Sequence, residues 1–289
     1  MQVGGKSLSL TLLMAHLSKQ PSLKDKNLTL IERAMRNTIF MIHGMMVGPW
    51  CWDNYRNFFE KKGYRCISPV LRFHDMDPTG LPDPRLGTTS LLDYAADLEV
   101  EIKKLQTPPI LMGHSMGGLL AQILAARGYA KAAVLLTPAV PSGINGLSYT
   151  VLKSFSDTML HWGFWKKPFR FSFAKAVYSC LHLMPLQEQK KVYGKMVYES
   201  ARAARQIGFW YLDRTKAAKV DHNTMCCPML VIAAKWDRIT PAPVVKKVAH
   251  KYKDASFKQF DDHAHWVLGE PGWQDVAENV SDWLKTNSL

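Results

Sequence analysis

The stretch PPILMGHSMGGLLAQILAARG, residues 108–128, decides the fold. Its apolar beginning is typical of a buried strand, and the run that follows Gly117 indicates a helix. Between them, the pattern Gly-x-Ser-x-Gly puts Ser115 at the turn from strand to helix. In a nucleophile elbow such a turn lifts a serine hydroxyl above the edge of a sheet. The pentapeptide alone is also compatible with a plain tight turn.

From residue 38 onward, the chain alternates predicted strands with predicted helices. Short apolar runs predict strands at 38–44, 64–71, 109–113, 132–139, 228–237 and 256–263. Amphipathic stretches predict helices at 91–105, 116–128, 242–252 and 272–285, and the Pro-rich stretch 77–87 predicts a loop. This order predicts a doubly wound, mostly parallel α/β sheet whose chemistry lies at the carboxyl ends of the strands.

The chain divides into a core and two additional segments. We expect the core to comprise residues 36–140 and 223–289, with a helical cap at 141–222 that contains no clear strand and packs over the carboxyl edge of the sheet. Residues 1–35 are expected to form a poorly ordered extension, and the protein should stay active without residues 1–34. Their run SLSLTLLMAHL loosely resembles a signal peptide but lacks a small-x-small cleavage site. Together with five cysteines, an odd number, this favours a cytoplasmic protein over a secreted one.

The net charge of +13 is large and uneven. Segment 141–222 holds thirteen Lys and Arg against five Asp and Glu. No nucleic-acid-binding motif accompanies the charge, so we expect no nucleic-acid partner. A solvated basic surface, the attraction of anionic substrates and peripheral contact with an anionic membrane surface remain open. No apolar run approaches the 18 residues of a membrane span.

A serine nucleophile needs a base and a carboxylate that orients the base. Downstream of Ser115, VIAAKWDRITP ends a predicted strand at Asp237, and FDDHAHWVLGEPGW supplies His263 and His265 after the last strand. The order Ser, Asp, His is the one expected on this type of sheet. These signals favour the elbow over a plain turn.

Backbone amides are expected to complete the site as an oxyanion hole. Met116 begins the helix after Ser115, where amide groups lie beside developing negative charge. In MIHGMMVGPWCWDNY, Gly44 permits a tight turn that would aim the amide of Met45 at the same point. His43, just before this turn, is expected to brace the loop rather than to take part in the chemistry.

The motifs HGMMVGPWCWDN, GHSMGG, AKWDRITP and HAHWVLGEP resemble the α/β-hydrolase superfamily over residues 37–286, and its small esterases and methylesterases in particular. The resemblance implies Ser115 as nucleophile, Asp237 as orienting carboxylate and His265 as base and acid. The family usually has Gly before this histidine, whereas Ala264 precedes His265 and Asp262 precedes His263. The run WVLGEP that follows matches the family and favours His265, and His263 remains an alternative. The side chains and turn expected to line the substrate pocket are His43, Gly44, Trp50, His114, Trp162 and Trp165.

The function expected from these residues is hydrolysis of a small or medium-sized apolar or aryl ester through an acyl-enzyme. An acyltransferase, a hydrolase of carbon–carbon bonds and a slow receptor for a small ligand could keep the same triad. No Gly-x-Gly-x-x-Gly, Walker or metal-ligand spacing occurs in the sequence, so no cofactor and no metal are expected. The sequence does not specify the oligomeric state.

Overall fold

The computed structural model describes residues 37–159 and 163–289. The expected extension at 1–35 and the pocket candidate Trp162 therefore lie outside the described residues. Within the described ranges, no helix is long and apolar enough to cross a membrane.

Strands in the described residues form one large sheet and one small one. They are β1 (Thr38–Ile42), β2 (Arg65–Ile67), β3 (Ile110–His114), β4 (Ala132–Leu136), β5 (Pro168–Phe169), β6 (Glu199–Ser200), β7 (Met229–Ala234) and β8 (Ala255–Phe260). The large sheet has the order β2-β1-β3-β4-β7-β8, and all its neighbouring strands are parallel. The predicted doubly wound, mostly parallel α/β fold is confirmed.

Some helices of the described residues cover both faces of the large sheet, and the others lie within residues 141–222. They are α1 (Asp53–Lys61), α2 (Leu91–Lys103), α3 (Met116–Ala126), α4 (Tyr149–Met159), α5 (Phe173–Ala176), which continues as a wider turn over Val177–Leu181, α6 (Leu186–Lys195), α7 (Ala201–Gly208), α8 (Ala242–Ala249) and α9 (Trp273–Thr286). Short 3₁₀ turns occupy Pro49–Trp52, Pro84–Thr88, Phe164–Lys166, Trp210–Leu212 and His222–Thr224.

Strand β1 shows how one sheet serves two hydrophobic cores. Phe40 and Ile42 pack into the core formed with α2, α3 and α8. Ile39 and Met41 pack into the opposite core, formed with α1 and α9. Because successive side chains of a strand point to opposite faces, a strand buried on both faces is a continuous apolar run, and all five residues of β1 are buried.

The structure differs from the sequence prediction in three places. Helix α1 was not predicted, and the 77–87 loop runs into the 3₁₀ turn Pro84–Thr88. Strands β5 and β6 form an antiparallel pair inside 141–222, where no strand was expected. Each is only two residues long, which is too short for an alternating pattern to reveal it.

Segment 141–222, hereafter the insertion, is hydrogen-bonded to loops of the core. The Ser200 hydroxyl donates to the carbonyl of Thr89 at 2.6 Å, and the side chain of Gln206 accepts from the amide of Leu91 at 2.9 Å. The Arg170 guanidinium donates to the carbonyl of Pro78 at 2.6 Å. These bonds hold the insertion against the connection between β2 and α2.

Candidate active site

Ser115 stands at the end of β3 in a backbone conformation that few side chains adopt. Its φ is 53° and its ψ is −120°, and it caps the amino end of α3. A side-chain carbon at Gly113 would overlap the backbone of Gly117, and one at Gly117 would overlap the carbonyl of Ile42. The two glycines therefore allow the strand and the helix to approach closely enough for this sharp turn.

Three side chains from separate loops meet at Ser115. The His265 Nε2 lies 3.0 Å from the Ser115 Oγ, and the His265 Nδ1 lies 2.8 Å from the Asp237 Oδ2. Asp237 follows β7 and His265 follows β8, so each comes from the carboxyl end of a strand. All three are buried, with exposed fractions of 8% for Ser115, 5% for Asp237 and 4% for His265.

The Asp237 carboxylate is held in place by its own turn. Its Oδ1 accepts hydrogen bonds from the amides of Ile239 at 2.7 Å and Thr240 at 2.8 Å. The Thr240 hydroxyl lies 2.7 Å from the Asp237 Oδ2 and 3.0 Å from the carbonyl of Thr137. These contacts aim the second carboxylate oxygen at His265.

His263 does not approach Ser115. Its Nδ1 lies 3.1 Å from the Glu270 Oε1, and the same oxygen accepts from the amide of Ala264 at 2.9 Å. Burial would lower the pKa of His263, but the hydrogen bond and charge of Glu270 outweigh it and raise the pKa. The sequence left two histidines as alternatives, and the structure places His265 beside Ser115. His263 and Glu270 instead hydrogen-bond within the loop that carries His265.

The loop after β1 lies directly against the serine. A side-chain carbon at Gly44 would stand 3.0 Å from the Cβ of Ser115, so only glycine fits there without displacement. The amide of Leu71 donates to the His43 Nε2 at 3.1 Å, and the His43 Nδ1 therefore carries the proton and donates to the carbonyl of Gly44 at 2.9 Å. Burial, together with the charge of His74, lowers the pKa of His43 to about 3. A neutral imidazole with both nitrogens occupied acts here as a brace for the loop.

Met45 and Met116 flank Ser115 and line the cavity into which it opens. Met116 is the first residue of α3, and the first amides of a helix have no partner within the helix. An anion beside this helix end would also be favoured by the helix dipole. The amide of Met116 is thus a candidate donor for an oxyanion hole, and the position of Met45 in the cavity wall is compatible with its expected role as the second donor.

The cavity above Ser115 has a predominantly apolar wall. Part of the wall comes from the core, and a large part comes from the insertion, including Leu147, Phe155, Phe169, Ile207 and Phe209. Among the described residues that line it, Arg205 alone is charged. Such a cavity, with few polar groups, is typical of a small-molecule site.

Five of the pocket candidates are not among the described residues that line this cavity: His43, Gly44, Trp50, His114 and Trp165. His43 and His114 are buried, and each is hydrogen-bonded to a neighbouring loop: the amide of Leu71 donates to His43, and His114 donates to the carbonyl of His265. Trp50 packs on Trp266, with 6.0 Å between the ring centroids, and Trp165 is half-buried outside the cavity wall. Among the described lining residues, the aromatic ones are Phe155, Phe169 and Phe209.

The profile of the alpha/beta hydrolase family matches residues 39–278. The chain belongs to the α/β-hydrolase family. Methylesterase 8 of Arabidopsis thaliana is 27% identical over 132 residues, which are 44% of this chain and 47% of that protein. The chain thus matches about half the length of its curated relatives.

Solved structures share the fold over most of the chain. A methylesterase from Arabidopsis has a TM-score of 0.66 at 13% identity, covering 86% of this chain and 99% of its own. A pyrethroid hydrolase from Sphingobium faniae has a TM-score of 0.65 at 17% identity, covering 86% of this chain and 97% of its own. At these identities the likeness concerns the fold of this α/β hydrolase.

Sequence reasoning missed the residues that support the site. Thr240 follows Asp237 by three positions, a spacing at which a threonine can close a turn on an aspartate. Glu270 lies within the quoted run HAHWVLGEP, but nothing local reveals that it binds His263. The Nε2 of His74 lies 3.0 Å from the Oε2 of Glu199, with both side chains buried, across 125 residues of sequence. Contacts so distant along the chain leave no periodic signal.

Proposed function

We propose that this α/β hydrolase is a serine esterase with Ser115 as nucleophile, His265 as base and acid, and Asp237 as the carboxylate that orients His265. The observation that carries the proposal is the chain of two hydrogen bonds, 3.0 Å from Ser115 to His265 and 2.8 Å from His265 to Asp237, at the floor of an apolar cavity. Relatives named methylesterase and a structural neighbour named pyrethroid hydrolase add support.

In the proposed reaction, the Ser115 hydroxyl attacks the ester carbonyl and its proton passes to the Nε2 of His265. The amides of Met45 and Met116 stabilise the oxyanion of the tetrahedral intermediate. The imidazolium then returns the proton to the alcohol that leaves, and an acyl-enzyme remains on Ser115. Water, deprotonated by His265, cleaves the acyl-enzyme and regenerates the serine.

We infer that residues 141–222 act as a cap that selects the substrate, with 36–140 and 223–289 as the catalytic core. The phenylalanines and aliphatic side chains of the cavity favour an ester with an apolar acyl or aryl group. The basic side chains Lys153, Lys166, Lys167, Lys190 and Lys191 are exposed on the insertion, where they would attract anionic esters.

A series of 4-nitrophenyl esters of increasing acyl length tests the proposal on the full chain. We expect sustained turnover, well above one equivalent of product per protein, and a preference for medium-chain or aryl esters over acetate. A fluorophosphonate probe should label the wild-type protein and leave Ser115→Ala unlabelled. A single equivalent of product, or equal labelling of both proteins, would contradict the proposal and favour a ligand receptor. Added alcohols distinguish hydrolysis from acyl transfer, because a transferase would form a new ester at the expense of the free acid.

A further inference from the structure

Met46, the residue after Met45, has a strained backbone conformation and is hydrogen-bonded at both its carbonyl and its amide. Met46 has a φ of 62°, in the left-handed region that residues with a side chain rarely occupy, and its side chain is buried. Its carbonyl accepts from the amide of Val197 at 2.8 Å, and its amide donates to the Glu199 Oε2 at 3.4 Å. Both partners belong to the insertion. A strained residue persists only where its surroundings fix it, and here the insertion supplies the fixing contacts.

The Glu199 carboxylate is fully buried and has four donors. Its Oε1 accepts from the Tyr94 hydroxyl at 2.8 Å and from the amide of Ser200 at 2.6 Å. Its Oε2 lies 3.0 Å from the Nε2 of His74 and also accepts from Met46. Burial would lower the pKa of His74, but the charge and hydrogen bond of Glu199 outweigh it and raise the pKa. The carboxylate therefore joins the insertion to the loop after β1, to α2 and to the loop after β2.

We propose that Glu199 is a positioning residue that aims the amide of Met45 at the oxyanion. Glu199 accepts a hydrogen bond from the N–H of the peptide group that joins Met45 to Met46. The orientation of this peptide group determines the backbone conformation of Met45, and therefore the direction of the Met45 amide. An oxyanion donor acts through geometry fixed before the reaction, and a misdirected amide loses its effect on the transition state while substrate binding is little changed. The inference rests on the proposed esterase function and adds that the insertion, besides lining the cavity, shapes the catalytic loop.

Glu199→Gln is the sharpest test, because the amide has the same shape but only one acceptor oxygen. If its NH₂ replaces Oε2, His74 can become neutral and accept from it, since the His74 Nδ1 still lies 3.0 Å from the carbonyl of Arg72. The N–H of Met46 then faces a donor and has no acceptor there. If the amide is turned around, the N–H of Ser200 meets the same conflict, and both ring nitrogens of His74 would face acceptors, so that a buried His74 would stay charged without a carboxylate beside it. The first orientation, in which Met46 loses its acceptor, is therefore favoured. One backbone amide loses its partner in either orientation.

Ser200→Ala is the matched control, one residue away on the same strand. It removes the buried hydrogen bond to Thr89 and the cap of α7, which Ser200 provides to the amide of Ala203 at 3.2 Å. It therefore weakens the docking of the insertion without touching Met46. We expect Glu199→Gln to lower kcat about ten- to hundredfold with KM changed less than about threefold, and Ser200→Ala to lower the Tm with kcat near wild type.

A transition-state analogue provides a readout that a purely structural role would not move. A trifluoromethyl ketone forms an oxyanion on the serine, whereas the corresponding alcohol binds without one. Glu199→Gln should weaken the ketone in proportion to the loss of kcat/KM and leave the affinity of the alcohol unchanged. Equal losses for both ligands, or equal losses of kcat in Glu199→Gln and Ser200→Ala, would overturn the inference while the esterase activity of the wild type still stands.

If Glu199→Gln does not fold, Tyr94→Phe tests the same carboxylate more gently. It removes one donor from Oε1 and leaves the bond to Met46, so the carboxylate gains freedom to rotate. A smaller loss of kcat, about two- to tenfold, should appear with the same selective weakening of the ketone. Unchanged kcat in Tyr94→Phe, with a lowered Tm, would contradict a positioning role.

Discussion

The His114 Nε2 donates a hydrogen bond to the main-chain carbonyl of His265 at 2.8 Å, so the residue before Ser115 also holds the loop that carries His265. The imidazole must keep its proton on Nε2, which leaves Nδ1 as an unprotonated nitrogen, buried and without a hydrogen-bond partner among the described residues. Burial, with the charge of His265, lowers the pKa of His114 to about 3. This contact connects the geometry of the site to the stability of the protein in acid.

We predict that the free energy of unfolding falls as the pH is lowered from 6.5 to 5. In this range the unfolded chain protonates His43 and His114, whereas both stay neutral in the folded protein because their pKa values are about 3. The unfolded state then binds more protons, so stability rises with pH by about 1.4 kcal/mol per pH unit for each such group once the unfolded histidine is protonated. Urea titrations at several pH values measure this slope.

His114→Gln gives the control for the acid effect. The amide nitrogen of Gln can take the place of Nε2 as donor to His265, but it does not titrate. The slope should therefore fall by about one proton relative to wild type. An identical slope in both proteins would show that His114 is protonated in the folded state, contrary to its burial.

Substitution of Ser115 and of the two histidines should give a clear ranking of effects on kcat. Ser115→Ala is expected to lower kcat by about 10⁴-fold or more, and His265→Ala by a similar factor, because members of a triad act as a unit. His263→Ala should have a much smaller effect on kcat and a larger one on the Tm, since His263 bonds to Glu270 and not to Ser115. Steady-state kinetics measure the effect of each substitution on kcat, and thermal unfolding measures its effect on the Tm. A severe loss in His263→Ala with an active His265→Ala would reverse the assignment of the base.

Asp237→Asn is expected to lower kcat by about 10⁴-fold at neutral pH. The amide that replaces Oδ2 would face the Nδ1 of His265 as a donor, and the histidine would then carry its proton on the nitrogen that faces Ser115. Asp262→Asn is the matched control, because it makes the same change on a side chain that is 77% exposed and lies three residues from His265. Comparable losses in the two variants would argue against a specific role of Asp237.

The sequence predicted the elements that obey a local rule. Ser115 and Asp237 could be found because each directly follows an apolar strand and stands beside turn residues. Helix α1 escaped prediction because its buried residues, Tyr55 and Phe59, lie in a run of aromatic and polar residues that directly follows a 3₁₀ turn. Which side chains of the insertion face the cavity depends on how the helices of the insertion pack on the core, and the sequence pattern did not predict this packing.

The supporting residues depend on contacts between distant segments. Glu199 is one of five acidic residues in the strongly basic insertion, but its partners Met46, His74 and Tyr94 all lie more than 100 residues away. No spacing along the chain encodes such a meeting. The local pattern thus identified the side chains that meet at Ser115, whereas the residues that hold them required the folded chain.

The basic insertion should make the hydrolysis of anionic esters dependent on salt. The measurement that tests this compares two 4-nitrophenyl esters, one whose acyl chain ends in a carboxylate and one whose acyl chain ends in a methyl group of similar size. For the carboxylate, kcat/KM should decrease as ionic strength rises, because the Debye length shortens from about 10 Å at 0.1 M to about 3 Å at 1 M. The neutral ester should show little change. If kcat/KM depended equally on salt for the two esters, the salt effect would not arise from the charge of the substrate, and the prediction would be wrong.

Variants of Arg205 and Arg202 distinguish a direct contact between an arginine and the anionic substrate from the general electrostatic attraction of the insertion. Both are half-buried on α7, but Arg205 lines the cavity, whereas the Arg202 guanidinium donates to the carbonyl of Thr88 at 2.9 Å. Arg205→Met keeps an apolar side chain in the wall and removes the charge, so we expect kcat/KM for the anionic ester to fall roughly tenfold while the neutral ester is unaffected. Arg202→Met removes the same charge outside the cavity and should produce a much smaller loss. Equal losses in the two variants would assign the effect to net charge alone, and no loss in either would leave the insertion with an apolar role only.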